Sequence, residues 1–187
     1  IAQANEIGGA YVTYSQSDEI SAVLHPNTLM FGRRPEKLAS IAAGIASAEF
    51  SLCHGSRAVF DGRCLTAPSA DSVLDYLSWR VADARRNSIH SAAYWGLRHG
   101  GVSPRAAESQ LKRMSQTDKL ALIAEYCIDT PDWAMAGFMV TWGDFDHIGH
   151  NPITGEDVPT TRRREVVTTI QRDTWRDLAA AALAEAK

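Results

Sequence analysis

One long amphipathic pattern in the middle of the chain constrains the fold more than any other feature. It begins after Pro68-Ser69, where a serine side chain can accept a hydrogen bond from a free backbone N–H at a helix start. It runs to about His99 and ends at Gly100-Gly101, since glycine tolerates the conformation that closes a helix. The sequence therefore predicts one long helix, whose apolar faces come from Leu74, Leu77, Trp79, Val81, Ile89, Ala92, Ala93 and Trp95.

Strand-like segments on both sides of this helix predict an α+β protein. Residues 11–14 are rich in β-forming side chains, and Ile20, Ala22 and Leu24 alternate with polar neighbours, so we expect a hairpin that turns at residues 15–19. Further strands are predicted at 57–60, 64–67, 138–142 and 166–170, the last two joined by a long loop. Shorter helical segments are predicted at 2–7 (closed by Gly8-Gly9), from Pro35, from Ser103-Pro104, from Ser115 up to a break at Pro131, and from Asp173 to the end.

Composition sets limits on the class of protein. The chain has 187 residues, 45% of them hydrophobic, which is enough for one domain with a real core. The formal net charge of −3 gives no global sign of nucleic-acid binding, but basic residues cluster locally, and a local patch can bind phosphate. Three dispersed cysteines without a CxxC motif favour a reducing, cytoplasmic compartment. No apolar run reaches the roughly 20 residues of a membrane span.

The sharpest local feature is Gln16-Ser17-Asp18-Glu19 at the predicted hairpin turn. Adjacent carboxylates repel each other unless cations compensate them, and magnesium prefers carboxylate and phosphate oxygens. Polymerase-type chemistry places such acids at a strand end, where two ions about 3.5–4 Å apart can bridge the reacting oxygens. Asp18 and Glu19 are therefore candidate metal ligands and catalytic residues. A solvent-facing acidic turn is the alternative.

Two further patterns could contact phosphate or RNA. Arg34 and Lys37 stand at a predicted helix N-terminus, where free N–H groups and cations could meet a triphosphate together. Arg80, Asp83 and Asn87 fall on one face of the long helix. A polar row on an otherwise apolar helix either satisfies a buried partner or faces RNA, and the sequence does not decide between these two.

These segments, in this order, resemble the tRNA(His) guanylyltransferase family and its guanylyltransferase-like relatives, which polymerise in the 3′–5′ direction. Any one motif is weak, but the ordered set spans nearly the whole chain. The matching stretches are residues 15–21, 33–38, 60–63 (Phe60-Asp61-Gly62-Arg63), 75–83, Asn87, 94–97, Asp118-Lys119, 151–155 and 161–164.

The resemblance implies a polymerase palm-like (ferredoxin-like) antiparallel sheet with flanking helices in a single domain, with a palm core at about 1–68 and an elaboration at about 69–187. It implies two Mg2+ ions, held by a carboxylate of a first strand and by Asp18 with Glu19 nearby, and GTP and ATP as substrates. ATP activates a 5′-monophosphate RNA end, and the 3′-hydroxyl of the incoming nucleotide, usually GTP, then attacks that end and releases AMP. A homo-oligomer, dimer or tetramer, is also expected. The resemblance assigns nucleotide binding to Ser17, Arg34, Lys37 and Lys119, and RNA binding to Arg80, Asp83, Asn87, Arg162 and Arg163.

The chain also departs from the family pattern. The first catalytic strand, with an Asp-Gly-Arg motif, is absent from the sequence, so we expect it upstream of Ile1; Asp61-Gly62-Arg63 matches a later motif and is not assigned to metal. Arg85-Arg86-Asn87-Ser88 replaces the family's His-Ile-Asn-Asn, and Leu120-Ala121 replaces Asn-Glu after Lys119. These changes favour the branch that repairs the 5′ end of tRNA. The competing hypothesis is a truncated or degenerate module that binds nucleotide or RNA without turnover.

Overall fold

A computed structural model describes residues 10–171 and 174–184, and it confirms the α+β class, with an antiparallel sheet and flanking helices. The elements follow one another as β1 (Ala10–Gln16), β2 (Glu19–Leu24), a short 3₁₀ turn (Met30–Arg33), α1 (Pro35–His54), α2 (Ala70–His99), α3 (Pro104–Leu111), α4 (Gln116–Glu125), α5 (Asp132–Ala136), β3 (Phe138–His150), β4 (Asp157–Thr169) and α6 (Trp175–Ala184). No helix within the described residues is long and apolar enough to cross a membrane.

The four strands form one sheet in the order β2-β1-β3-β4. The predicted hairpin forms as β1 and β2, and β1 pairs on its other side with β3, so that Val12 lies opposite Thr141. The sheet thus combines strands from the two ends of the sequence, with all the long helices between them. The predicted helix tail at residues 2–7, with Gly8-Gly9, lies outside the described residues.

Helix α2 joins two hydrophobic clusters. Its first half, with Leu77 and Val81, packs with the sheet and with α6, whereas its second half, with Ile89 and Leu97, packs with α3, α4 and α5. Serine caps begin the helices as the sequence predicts: Ser69, Ser103 and Ser115 each accept a hydrogen bond from the backbone three residues on, and Ser115 and Asp118 complete a capping box.

The strands predicted at 57–60 and 64–67 are wrong, because this segment takes no place in the sheet. It lies along α1, where Phe60 N and Ala58 N donate hydrogen bonds of 2.9 Å to the hydroxyls of Ser47 and Ser51. A side chain at Gly62 would place its Cβ 2.3 Å from the carbonyl oxygen of Ala39, so the segment can lie this close to the helix only with glycine there.

The predicted long loop between the last two strands is also wrong. Strands β3 and β4 continue far beyond the sheet and turn at residues 151–156. There Asn151 Oδ1 accepts hydrogen bonds from the backbone N–H groups of Ile153 and Thr154, at 2.9 and 3.3 Å. Beyond Thr141, the partner of β3 within the described residues is β4 alone; we name residues 142–165 the β-arm.

The predicted break at Pro131 does not end the helical region, because Pro131 directly precedes α5.

Gly137 joins α5 to β3 where these elements meet β1. Its φ of +82° is in the left-handed region, and an added Cβ would lie 2.3 Å from Ser15 O. We predict that Gly137→Ala lowers the free energy of unfolding by about 2 kcal/mol, because it combines backbone strain with a backbone clash. Chemical denaturation measures this.

The matched control is Gly44→Ala, within α1, where an added Cβ meets nothing within 4 Å. That change should raise stability by about 0.5–1 kcal/mol, since alanine favours helix interiors. Equal effects of the two substitutions would contradict the packing at Gly137.

Candidate functional site

The predicted site lies at the turn between β1 and β2. Gln16 and Glu19 form the last residue pair of the hairpin, and Ser17 and Asp18 make the turn between them. Ser17 has a φ of +56°, a conformation that favours glycine. A two-residue hairpin turn requires a positive φ at its first central position, where a non-glycine residue costs free energy. The side chain of Asp18 is exposed at the tip of the turn. Within the described residues, it forms no ion pair and no hydrogen bond.

Gln16 attaches one side of the turn to two helices. Its Nε2 donates hydrogen bonds to Ser88 Oγ on α2, at 2.9 Å, and to Ala134 O on α5, at 3.2 Å. The Ser88 hydroxyl itself donates to Ala134 O at 2.7 Å. These three polar groups come from distant parts of the sequence, and together they fix the end of β1 against the helices.

Glu19 attaches the other side of the turn to α2 through an ion pair with Arg80. The Arg80 side chain is only 11% exposed, and its Nη1 lies 3.8 Å from Asp83 Oδ2. The guanidinium also lies over the ring of Trp79, 4.7 Å from its centroid. For Arg80, the structure thus supplies intramolecular partners: Asp83, which is 18% exposed, and Glu19, which is 61% exposed. Its predicted RNA contact stays a prediction.

Tyr14 lies beneath this ion pair in the core. It is 3% exposed, and its hydroxyl donates a hydrogen bond of 2.9 Å to Ala136 O. Burial raises the pKa of Tyr14 to about 12; the positive charge of Arg80 lowers this pKa and the negative charge of Asp83 raises it. The charges of Arg80 and Asp83 on α2 are therefore close enough to this core side chain to change its pKa.

The polar row on α2 continues past Asp83 to His90. There it contacts Lys119 of α4, which was predicted to bind nucleotide. Asp83 pairs with Arg86 and accepts a hydrogen bond from Asn87 Nδ2 at 3.2 Å. One turn further, His90 Nδ1 lies 3.3 Å from Lys119 Nζ, and His90 Nε2 lies 3.8 Å from Glu108 Oε1. The sequence analysis did not place His90 in this row, although its position three residues after Asn87 continues the same helical face.

Arg34 and Lys37 lie at the N-terminus of α1, as predicted, and both are exposed. The preceding loop has three left-handed residues in a row, at 31–33, and Arg33 Nη1 donates to Pro26 O at 2.6 Å. Arg34 is the N-cap residue, and its Nε donates to Phe31 O at 3.2 Å. Two cations therefore face solvent at a helix N-terminus, which is the arrangement that suits an anion.

An open cleft of about 580 Å³ lies beside the turn. Phe50 and Phe60 contribute an edge-to-face ring pair with centroids 5.7 Å apart. Neither Arg34 nor Lys37 is among the residues that line the cleft. The cleft does bring together Asp18 and Asp61, a carboxylate that the sequence analysis left unassigned. Its lining residues are Ser17, Asp18, Phe50, Ala58, Val59, Phe60 and Asp61.

The available carboxylates limit what metal the described residues could hold. They contain no group of three or more His, Cys, Asp or Glu side chains suited to a metal ion. Glu19 is paired with Arg80, which leaves Asp18 at the tip of the turn. Magnesium commonly binds one or two carboxylates together with substrate phosphates and waters, so Asp18 fits one such ion. The predicted pair of ions needs more ligands than these residues supply.

The β-arm separates its charges between two faces. Residues opposite each other in an antiparallel pair lie on the same face, and here Arg162 is opposite Phe145, and Arg163 opposite Asp144. The first face has no carboxylate, and Arg164 there lies 5.0 Å from the ring centroid of Phe145. The second face is acidic. We name them the cationic face (Gly143, Phe145, His147, Gly149, Val158, Thr160, Arg162, Arg164) and the acidic face (Trp142, Asp144, Asp146, Ile148, His150, Asp157, Pro159, Thr161, Arg163, Glu165).

This division bears on the two arginines predicted to bind RNA. Arg162 lies on the cationic face, whereas Arg163 forms an ion pair with Asp144, its Nε lying 3.2 Å from Asp144 Oδ1. Arg164, which was not among the predicted RNA-binding residues, lies on the same face as Arg162. Alternation along a strand would have identified this pairing of faces, had the segment been predicted as a strand rather than as a loop.

Comparison with known proteins agrees with this arrangement. Residues 2–68 match the family described as tRNAHis guanylyltransferase, and residues 71–135 match its C-terminal domain. The chain belongs to the tRNA(His) guanylyltransferase family. A probable tRNA(His) guanylyltransferase of Drosophila melanogaster is 33% identical over 121 residues, 60% of this chain and 42% of that protein. The tRNA(His) guanylyltransferase of Eremothecium gossypii is 28% identical over 132 residues, 64% of this chain and 56% of that protein.

Solved structures of the family share the fold. The tRNA(His) guanylyltransferase of Saccharomyces cerevisiae aligns with a TM-score of 0.67 at 24% identity, over 75% of this chain and 68% of that one. A bacterial guanylyltransferase-like protein, solved in complex with GTP, aligns with a TM-score of 0.62 at 24% identity, over 96% of this chain and 71% of that one. The chain spans between about half and two thirds of the length of the curated relatives it matches first.

The raised pKa of Tyr14 predicts a pH dependence of stability. The folded-state pKa of about 12 lies above the ordinary value of 10.0. The contribution of protonated Tyr14 to the free energy of unfolding is therefore complete below pH 10 and is lost as the pH rises through 12. We predict that Tyr14→Phe costs about 1 kcal/mol at pH 7, from the lost hydrogen bond to Ala136 O. Between pH 10 and 12, the free energy of unfolding of Tyr14→Phe should also fall less steeply than that of the parent protein. Urea unfolding of both proteins across this range measures it, and parallel curves would contradict the prediction.

Proposed function

We propose that this protein is a nucleotidyltransferase that adds a nucleotide, preferably GTP, to the 5′ end of tRNA in the 3′–5′ direction, in tRNA(His) maturation or 5′-end repair. The observation that carries the proposal is the Ser17-Asp18 turn. This family motif is held on α2 from both sides, and the carboxylate at its tip, which has no ion-pair partner among the described residues, lies beside an open cleft. The names of the family and of its curated members support the same activity.

The reaction forms one phosphoester bond and breaks one phosphoanhydride bond. The 3′-hydroxyl of the incoming nucleotide loses its proton and attacks the 5′ phosphorus of the RNA. The leaving group is pyrophosphate when the RNA end is a 5′-triphosphate, and AMP when the end has been activated by ATP. Magnesium supplies charge neutralisation when bound, and Asp18 would hold it. Ser17, Arg34, Lys37 and Lys119 would bind phosphate oxygens, since charge-assisted hydrogen bonds from cations orient them.

The RNA partner would be tRNA or another structured RNA with an accessible 5′ end. Arg162 and Arg164 on the cationic face of the β-arm suit phosphate oxygens, and Phe145 beside them offers a ring for stacking. We also expect a homo-oligomer, dimer or tetramer, as the family resemblance implies.

A binding module without turnover is the second candidate. It is favoured by one observation: the described residues gather no set of three metal-ligating side chains. Two-metal catalysis takes carboxylates from more than one strand, whereas nucleotide and RNA contacts need none of them. Comparing this chain with the longest natural reading frame that contains it separates the two candidates, because only an enzyme gains turnover when further ligands are supplied.

We predict that Asp18→Ala abolishes nucleotide addition and leaves stability within about 0.5 kcal/mol, because the side chain is exposed and unpaired. The assay is incorporation of labelled GTP, with magnesium, onto a 5′-triphosphorylated tRNA that lacks its first nucleotide. It is run with the protein encoded by the longest natural reading frame that contains this chain. Asp61→Ala is the matched control, since it removes a second carboxylate from the same cleft. Retained turnover in Asp18→Ala would refute the assignment of Asp18.

We predict that Arg162→Ala weakens tRNA binding by about 1 kcal/mol or more. The slope of log Kd against the logarithm of the salt concentration should also fall, by the amount expected for the loss of roughly one phosphate contact. Arg163→Ala should have the smaller effect, because its guanidinium is paired with Asp144 on the acidic face. Fluorescence anisotropy with labelled tRNA at several salt concentrations measures both. Equal losses in the two variants would contradict the separation of the faces.

A further inference from the structure

We infer that Gln16 and Glu19 are the positioning residues of the site, and that Glu19 serves to hold Asp18 in place rather than to bind metal. This inference rests on the proposed function, and it changes the role that the sequence suggested for Glu19. It starts from the observation that two adjacent acidic side chains, Asp18 and Glu19, have opposite surroundings. Asp18 has no ion-pair partner among the described residues, whereas Glu19 is paired with Arg80.

The two attachments hold the turn from opposite directions along α2. Gln16 and Glu19 are direct partners in the hairpin, with Cα atoms about 5 Å apart. Their contacts on α2, Ser88 and Arg80, are eight positions apart, about 12 Å along the helix axis. Because one side chain reaches toward each end of the helix, the turn cannot rotate about either contact without breaking the other. The tip that carries Asp18 is thereby fixed.

The strained backbone at Ser17 agrees with this attachment. A serine with a φ of +56° persists only where its surroundings enforce that conformation. The surroundings here are the hairpin pairing of Gln16 with Glu19 and the contacts of these two residues with α2 and α5. A two-residue hairpin turn requires a positive φ with or without such contacts, so the contacts, and not the strain, distinguish this turn from an exposed acidic connection.

Releasing Glu19 to a metal ion would leave Arg80 poorly compensated. Its guanidinium is 11% exposed, and the remaining carboxylate, Asp83, lies 3.8 Å away and also pairs with Arg86 and Asn87. Removing the Glu19 carboxylate would leave the Arg80 charge in a poorly solvated place, which is unfavourable; the 61% exposure of the Glu19 side chain makes this cost smaller than for a fully buried pair. A magnesium ion would have to overcome this cost at Glu19, whereas at Asp18 it displaces no protein partner.

The test separates a ligand from a positioning residue by substitution at adjacent positions. Mn2+ replaces Mg2+ as the probe, and its affinity in the presence of GTP is measured by electron paramagnetic resonance on the full-length protein. Glu19→Gln keeps an oxygen that accepts a hydrogen bond from Arg80 but is a poor metal ligand, and Asp18→Asn is the matched change at the tip. Thermal unfolding of Glu19→Ala, Arg80→Ala and the double variant gives a readout that needs no metal.

We expect Asp18→Asn to lose Mn2+ affinity with an unchanged Tm. Glu19→Gln should stay within about threefold of the parent protein, whereas Glu19→Ala should lose roughly 10-fold, as for other partners that orient a ligand. The Tm losses of Glu19→Ala and Arg80→Ala should not add in the double variant. A loss in Glu19→Gln equal to that in Asp18→Asn would overturn the inference.

The unfolding cycle keeps failure of this inference distinct from failure of the proposed function. If the parent protein binds no Mn2+ with GTP, the proposed function fails, and the cycle alone decides whether Glu19 and Arg80 hold the turn. Additive Tm losses would then overturn the positioning role. A second cycle on Gln16→Ala and Ser88→Ala tests the other attachment in the same way, and additivity there would remove Gln16 from the inference.

Discussion

The ion pair between Arg80 and Glu19 is the contact on which the geometry of the site depends. Arg80 is nearly buried, so its charge requires carboxylates close by, and the protein supplies Asp83 from its own helix and Glu19 from the hairpin. This requirement joins sheet to helix at the turn itself. It also decides which of two adjacent acids stays available, because the acid that compensates Arg80 is not free to bind a cation.

Helix α2 can supply this contact because it belongs to both hydrophobic clusters. Leu77 and Val81 fix its first half against the sheet, and Ile89 and Leu97 fix its second half against the smaller helices. Polar groups at the junction between the clusters, such as Ser88, therefore sit on a rigid support. A turn attached at two points to a helix that is itself held in two cores keeps its geometry without ligand, which is the preorganisation that binding charged phosphates requires.

The sequence predicted what depends on local chemistry and failed where distant groups decide. The caps at Ser69, Ser103 and Ser115 and the first hairpin were predicted, because their signals lie within a few residues. The segment at 57–67 has the composition of strands, but hydroxyls of α1 satisfy its backbone instead. At the site, the motif made Asp18 a candidate, but the contact of Gln16 with Ser88 joins residues 72 positions apart and leaves no local pattern. The β-arm was mistaken for a loop because, away from a core, its strands lack apolar alternation.

That same arm shows why a net charge of −3 is compatible with a polyanionic partner. Strand alternation places carboxylates and arginines of one short segment on opposite sides of a two-stranded ribbon, so that Arg162 and Arg164 share a face without any acid. Exposed charges act over about a Debye length, roughly 8–10 Å, so a bound phosphate responds to the face that it touches more than to the total. The proposed contact with RNA therefore depends on how secondary structure arranges the charges, rather than on the total charge.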